Sequence, residues 1–163
     1  MKTLLIVWHS RTGAARQMAE AAARAAREAM EATVRILPAE AAQAEDLLAA
    51  DGYLFACPEN LASMSGAMKE FFDRCYYPCL DRLNGRPYAA LIAAGSDGEG
   101  AARQMARIAT GWRLRPAAAP LIVRTHAQTP EAIAAAKTLD ADDLARCAEL
   151  GQALAAGLAL GVF

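Results

Sequence analysis

Short apolar runs alternate along this chain with longer segments in which apolar residues recur at helical spacing. Five runs have the length and composition of buried strands: residues 4–8, Thr33–Leu37, Gly52–Cys57, Tyr88–Ala94 and Leu121–Val123. One intervening segment places a clear apolar stripe on a single helical face, at Met64, Ala67, Met68, Phe71, Phe72 and Cys75. The alternation predicts a three-layer α/β/α sandwich whose five-stranded parallel sheet has the common strand order 2-1-3-4-5.

Proline and glycine positions set the predicted ends of these elements. Pro38 and Pro58 are predicted to end the second and third strands, with a loop over residues 59–62 after the third. Pro78 is predicted to break the third helix between Cys75 and Cys79. The other helices are predicted from Ala14 to about Met30, over Glu40–Ala50, from residue 101 to near Gly111, after Thr129-Pro130, and from about Asp140.

Composition and charge restrict the class of protein. The chain has 163 residues, 55% apolar and 21% charged, without a linker, a repeat or a shift in composition. These values predict one globular domain over residues 1–163. The formal net charge of −1 gives no reason to expect a nucleic-acid partner. Because no apolar run has the length of a membrane span or the form of a secretion signal, we expect a cytoplasmic protein without a membrane partner.

The reactive side chains suggest no catalytic or metal centre of their own. The four cysteines lack CxxC or metal-ligand spacing, so we expect reduced, mostly buried thiols and no metal site. No nucleophile–base–acid triad is apparent, and no catalytic side chain is predicted. The adjacent aromatic residues Tyr76 and Tyr77 are candidate contacts of a homo-oligomer.

The segment after the first strand has the chemistry of an anion site. The apolar run ends at Ser10-Arg11-Thr12-Gly13, and a helix begins at once. First-turn amides have no acceptor within a helix, and the helix dipole favours negative charge there. Two hydroxyls and a guanidinium add donors that suit a phosphate. An ordinary strand-to-helix turn capped by Thr12 explains the same residues, and this segment alone does not separate the two interpretations.

Two further loops are predicted at the same edge of the sheet. In the order 2-1-3-4-5, ligands bind outside the carboxyl ends of the strands, between strands one and three. The loop after the third strand offers Pro58, Asn60 and the backbone near Ser65, and the loop after the fourth has three glycines within residues 95–100. We expect those glycines to let a flat ligand approach the backbone closely.

These loops resemble those of the flavodoxin-like FMN proteins, in particular their NAD(P)H-dependent oxidoreductase branch. Ser10-Arg11-Thr12-Gly13-Ala14-Ala15 resembles the phosphate loop Ser/Thr-x-Thr-Gly-x-Thr, and residues 57–74 are similar to the segment that surrounds the isoalloxazine ring. The resemblance covers residues 2–112. It implies a flavodoxin-like fold, FMN as cofactor and NAD(P)H as co-substrate. The cofactor-binding residues that it implies, besides residues 10–15, are Pro58, Glu59, Asn60, Leu61, Met64, Ser65, Gly95, Ser96, Asp97, Gly98 and Gly100.

Two departures from the family pattern bear on function. Ala15 replaces the last hydroxyl of the phosphate loop, which removes one donor. Neither flavin loop carries an aromatic residue, whereas electron-carrier flavodoxins commonly stack Trp or Tyr on the ring. An uncovered ring leaves room for a nicotinamide or a quinone. We therefore expect ping-pong transfer from NAD(P)H through FMN to a quinone-like or flavin acceptor, with Asn60 and the amides near Gly95–Gly98 contacting the ring.

Two other hypotheses remain open. The first is a flavodoxin-type electron carrier reduced by a partner protein. The second is a non-catalytic binding module that keeps the fold without flavin, to which Ala15 lends slight support. Oxidation of NADH or NADPH separates the oxidoreductase from both, and bound flavin separates the carrier from the module.

Overall fold

A computed structural model describes all 163 residues as alternating strands and helices. The strands are β1 (Thr3–Trp8), β2 (Thr33–Pro38), β3 (Gly52–Asn60), β4 (Ser63–Met64), β5 (Pro87–Ala94), β6 (Arg115–Pro116) and β7 (Leu121–Arg124). The helices are α1 (Ala14–Glu28), α2 (Ala44–Ala49), α3 (Gly66–Cys79), α4 (Glu99–Gly111), α5 (Pro130–Ala134) and α6 (Ala141–Leu160). None of the helices is both long enough and apolar enough to cross a membrane.

The sheet confirms the predicted strand order. Its path is β2-β1-β3-β5-β6, with parallel pairing throughout, and β7 also pairs in parallel with β5. β6 and β7 pair with opposite ends of β5 and together occupy the fifth position, where only residues 121–123 were predicted. The flavodoxin-like α/β arrangement follows from this order.

Helices cover both faces of the sheet, as the pattern predicts. Along β1, Leu5 and Val7 belong to the core beneath α2, α3 and α4, whereas Leu4 and Ile6 belong to the core beneath α1 and α6. All four side chains are fully buried. A strand buried on both faces explains why the run is continuously apolar instead of alternating with polar residues.

Two proline predictions were wrong. β3 continues through Pro58 to Asn60. Pro58 lies beyond the last pair with β1, Trp8–Ala56, so its missing N–H costs no ladder bond toward that strand. α3 likewise continues through Pro78 to Cys79, because a proline in the last turn removes only one helical hydrogen bond.

Three helix starts also differ from the prediction, and one of them is that of α4, which begins at Glu99 instead of residue 101. α2 begins at Ala44 instead of Glu40. The guanidinium of Arg74 donates to the carbonyls of Ala39 (3.0 Å) and Ala42 (2.5 Å), which holds the chain before α2 in a non-helical path. α3 begins at Gly66, so Met64 belongs to β4 and not to the helical stripe.

Candidate functional site

The loop after β1 forms one wall of a cavity at the carboxyl edge of the sheet. Ser10 Oγ accepts a hydrogen bond from the Gly13 amide at 3.0 Å, and Gly13, the N-cap residue of α1, has a φ of 98° that favours glycine. The amides of Thr12, Ala14 and Ala15 make no hydrogen bond within the chain, so they are free donors. The alternative interpretation, an ordinary turn capped by Thr12, is not met, because no side chain caps this helix.

The cavity has a volume of about 410 Å³ and a cationic lining. Its walls are formed by Trp8, Ser10, Arg11, Thr12, Gly13, Arg16, Ala134 and Ala136. The guanidinium of Arg11 makes no ion pair, and that of Arg16 lies 3.8 Å from the Glu20 carboxylate. No acidic residue lines the cavity. The predicted phosphate-loop residues Ser10, Arg11, Thr12 and Gly13 therefore share one cationic pocket, whereas Ala14 and Ala15 are buried and do not line it.

The second predicted loop is a tight β-hairpin. β3 and β4 pair in antiparallel fashion, with Glu59 opposite Met64 and Asn60 opposite Ser63. Leu61 and Ala62 form the two-residue turn, with φ values of 53° and 63°. Two positive φ values are the pattern of a type I′ turn, which follows the twist of the paired strands.

The hairpin is fixed to the first turn of α4 by polar contacts. The Glu59 carboxylate accepts from the amides of Gly98 (2.9 Å) and Ala101 (3.1 Å). Gln104 Oε1 accepts from Ser63 Oγ and from the Met64 amide, each at 2.9 Å. Glu59 therefore caps α4, and its oxygens are already occupied by protein amides.

The third loop meets the hairpin at Gly100. A Cβ at Gly100 would lie 2.1 Å from the Ala62 carbonyl oxygen, so only glycine lets the hairpin approach. The Gly98 amide, which we expected to face the flavin ring, donates to Glu59. Ser96 and Asp97 remain exposed, and the Gly95 carbonyl accepts from the His126 amide at 2.8 Å.

The remaining predicted residues of the hairpin differ in accessibility. Leu61 is fully exposed at the tip, and Pro58 and Asn60 are half-buried. The Asn60 carboxamide makes no hydrogen bond within the chain. Met64 and Ser65 are buried in the protein interior, so they are not open to a ligand in this arrangement.

Ser65 belongs to a hydrogen-bonded group that sequence reasoning missed. Its Oγ lies 2.8 Å from His9 Nδ1, and His9 Nε2 lies 3.8 Å from Glu40 Oε1. Burial, reinforced by Arg11, lowers the pKa of His9, and Glu40 partly opposes this effect. Cys57 is buried as predicted, and burial raises the pKa of its thiol to about 12, so it is not a reactive thiolate at neutral pH.

The segment at 133–139 also escaped prediction. It lies against the phosphate loop, where the Lys137 amide donates to the Thr12 carbonyl at 2.8 Å. Gln17 Nε2 donates to the carbonyls of Gly13 (2.9 Å) and Lys137 (2.8 Å). Thr129 and Pro130 indicate the helix, but no local signal indicates which loop it contacts.

Comparisons with known proteins identify the family of the chain. A family model described as NADPH-dependent FMN reductase matches residues 38–127, more than half of the chain. A flavodoxin from Aquifex aeolicus is 33% identical over 100 residues, which are 61% of this chain and 54% of that protein. The chain thus spans about half the length of this curated relative.

Two solved structures share the fold. A flavodoxin from the domain Archaea superposes with a TM-score of 0.76 at 18% identity, covering 96% of this chain and 98% of that one. The rubredoxin oxygen:oxidoreductase from Desulfovibrio gigas superposes with a TM-score of 0.78 at 16% identity, covering 99% of this chain and 37% of that one. At these identities the likeness concerns the fold alone.

Proposed function

The chain belongs to the NADPH-dependent FMN reductase family, a family of flavoprotein oxidoreductases, and from this premise we propose that it carries reducing equivalents from NAD(P)H through FMN to a quinone-like or flavin acceptor. FMN supplies the hydride chemistry when it is bound, and the protein supplies binding and orientation. Neither the nicotinamide donor nor the acceptor follows from family membership, so both are part of the proposal.

The main observation in support of the proposal is the pocket beside the phosphate loop. The free Thr12 amide, the Thr12 hydroxyl and the unpaired Arg11 suit a phosphate monoester, and the pocket lies at the N-terminus of a 15-residue helix. The flavin ring would then lie toward the hairpin and the 95–100 loop, because β1, β3 and β5 are neighbours in the sheet. Asn60 and Ser96 have free polar side chains on that side, and residues 58–65 and 95–100 include no aromatic ring.

Binding of FMN is the first test. Titrating FMN with purified protein should quench flavin fluorescence at micromolar protein concentration. Gly13→Asp should weaken binding because it adds a negative charge beside the phosphate. Gly13→Asn is the matched control, since it imposes a similar shape and backbone strain without charge. Equal FMN affinity in these two variants would contradict a phosphate site at this loop.

Turnover separates the proposed oxidoreductase from an electron carrier. The relative called a flavodoxin makes a carrier the second candidate, reduced by a protein partner and not by NAD(P)H. FMN-loaded protein should oxidise NADH or NADPH when benzoquinone is present. A protein that binds FMN but oxidises neither nucleotide would support the carrier. A protein that binds no FMN would support a non-catalytic module.

A further inference from the structure

The segment over residues 133–139, here called the α5 segment, is held against the phosphate loop by hydrogen bonds of the Lys137 backbone. The Lys137 backbone bonds to Thr12 through its N–H and to Gln17 through its carbonyl. Gln17 Oε1 also accepts from the Leu139 amide at 3.1 Å. One glutamine side chain of α1 therefore joins the phosphate loop to the α5 segment, which fixes Lys137 beside Thr12.

The ammonium group of Lys137 carries a charge that no carboxylate balances. Its Nζ lies 3.5 Å from Thr12 Oγ1, 3.0 Å from the Ile133 carbonyl and 2.5 Å from the Ala135 carbonyl. It forms no ion pair with an Asp or Glu side chain. The carbonyls orient the group next to Thr12, but they are neutral, so its positive charge acts on whatever occupies the neighbouring pocket.

The pocket is lined by both the phosphate loop and the α5 segment. Ala134 and Ala136 of the α5 segment form the wall opposite residues 10–13. Arg11 and Arg16 add two further cations to a molecule whose formal net charge is only −1. Ala15, by contrast, is buried and has no side-chain donor. The cations that line the cavity are thus Arg11 and Arg16. Lys137 does not line it, but its ammonium group lies beside the lining residue Thr12, from a segment more than a hundred positions away in the sequence.

We propose that Lys137 is a phosphate-binding residue that makes this site select phosphorylated flavin over riboflavin. The inference rests on the proposed function, because it takes FMN as the ligand. A phosphate dianion that contacts Thr12 gains a favourable charge interaction with Lys137, whereas the neutral ribityl end of riboflavin gains none. The same interaction makes FMN binding sensitive to salt.

The experiment compares dissociation constants for FMN and riboflavin, measured by flavin fluorescence at low and high salt. Lys137→Met should weaken FMN binding about tenfold, with a smaller salt dependence, because it removes one positive charge beside the phosphate. Riboflavin binding should change less than about twofold, since riboflavin lacks the charge. Lys137→Arg should restore most of the FMN affinity, and Lys2→Met, which removes an exposed lysine just before β1 at the opposite edge of the sheet, should match the wild type.

The possible outcomes separate this inference from the function on which it rests. A wild-type protein that does not bind FMN would overturn both. A wild-type protein that binds FMN, with unchanged affinity in Lys137→Met, would overturn the role of Lys137 alone. Equal losses for FMN and riboflavin would also overturn it, because they would show that Lys137 only supports the loop. Thermal unfolding of each variant without ligand identifies any loss of fold.

Discussion

His9 connects three elements through one imidazole ring at the end of β1. Its Nδ1 meets the hydroxyl of Ser65, which is fully buried at the start of α3, and its Nε2 faces Glu40 after β2. Burial disfavours the imidazolium, so the pKa of His9 lies below its ordinary value of 6.5 in the folded chain. The folded protein therefore holds His9 neutral at a pH where the unfolded chain begins to bind the proton.

This shift predicts a loss of stability in mild acid. A histidine with a lowered folded pKa stabilises the fold above its unfolded pKa, and that contribution is lost as the pH falls through the folded pKa. Between pH 7 and pH 5 the free energy of unfolding should therefore decrease, with His9 contributing at most about 1.4 kcal/mol per pH unit. His9→Asn should flatten this slope in urea titrations. An unchanged slope in the variant would show that His9 titrates alike in the two states.

At the scale of elements, the β3–β4 hairpin illustrates what a local pattern does not reveal. Leu61-Ala62 lacks the Asn-Gly signature of a type I′ turn, so residues 59–62 read as a loop. The hairpin forms because distant groups hold it: Glu59 caps α4 from a separation of 39 residues, and Gln104 binds β4 from a separation of 40. Contacts between residues so far apart in the chain produce no periodic pattern in the sequence.

The turn is strained, and relieving the strain should stabilise the protein. Leu61 and Ala62 both adopt positive φ, which costs a non-glycine residue about 1–2 kcal/mol. The double variant Leu61→Asn with Ala62→Gly should raise the free energy of unfolding by about 1 kcal/mol, after allowing for the greater freedom of glycine in the unfolded chain. Leu61 is fully exposed, so no packing is lost. Denaturant unfolding measures the change, and a less stable variant would contradict the turn assignment.

At the scale of the whole molecule, the sheet order was predictable because it depends on runs of apolar residues and on right-handed crossovers. Leu4 to Val7 are buried on both faces, as a continuous apolar run predicts. The phosphate pocket was predictable only in part. Ser10 to Gly13 are local, but Lys137 reaches Thr12 across 125 positions through contacts that only the folded chain brings together.

The placement of the site at one edge of a single sheet leads to a kinetic prediction. The hairpin and the 95–100 loop are joined through Glu59 and Gly100 on the side where the flavin ring is proposed to lie. If the nicotinamide and the acceptor reach the flavin over the same face, they must bind in turn. Initial-rate plots at several NAD(P)H and benzoquinone concentrations should give parallel lines, the pattern of ping-pong kinetics. Lines that intersect would show that both substrates bind together, and that result would defeat the shared face even with FMN bound.

A substitution at the hairpin tip tests the same idea by a separate measurement. Leu61→Trp places a large ring at the exposed hairpin tip, on the side where the flavin ring is proposed to lie, whereas Trp at Met64 would disturb the buried core. Because both substrates would use one space, kcat/KM for NAD(P)H and for the quinone should fall by similar factors while the FMN dissociation constant stays unchanged. Leu160→Trp, at an exposed position near the end of α6, is the control. A loss confined to one substrate would mean that donor and acceptor approach the flavin by different routes.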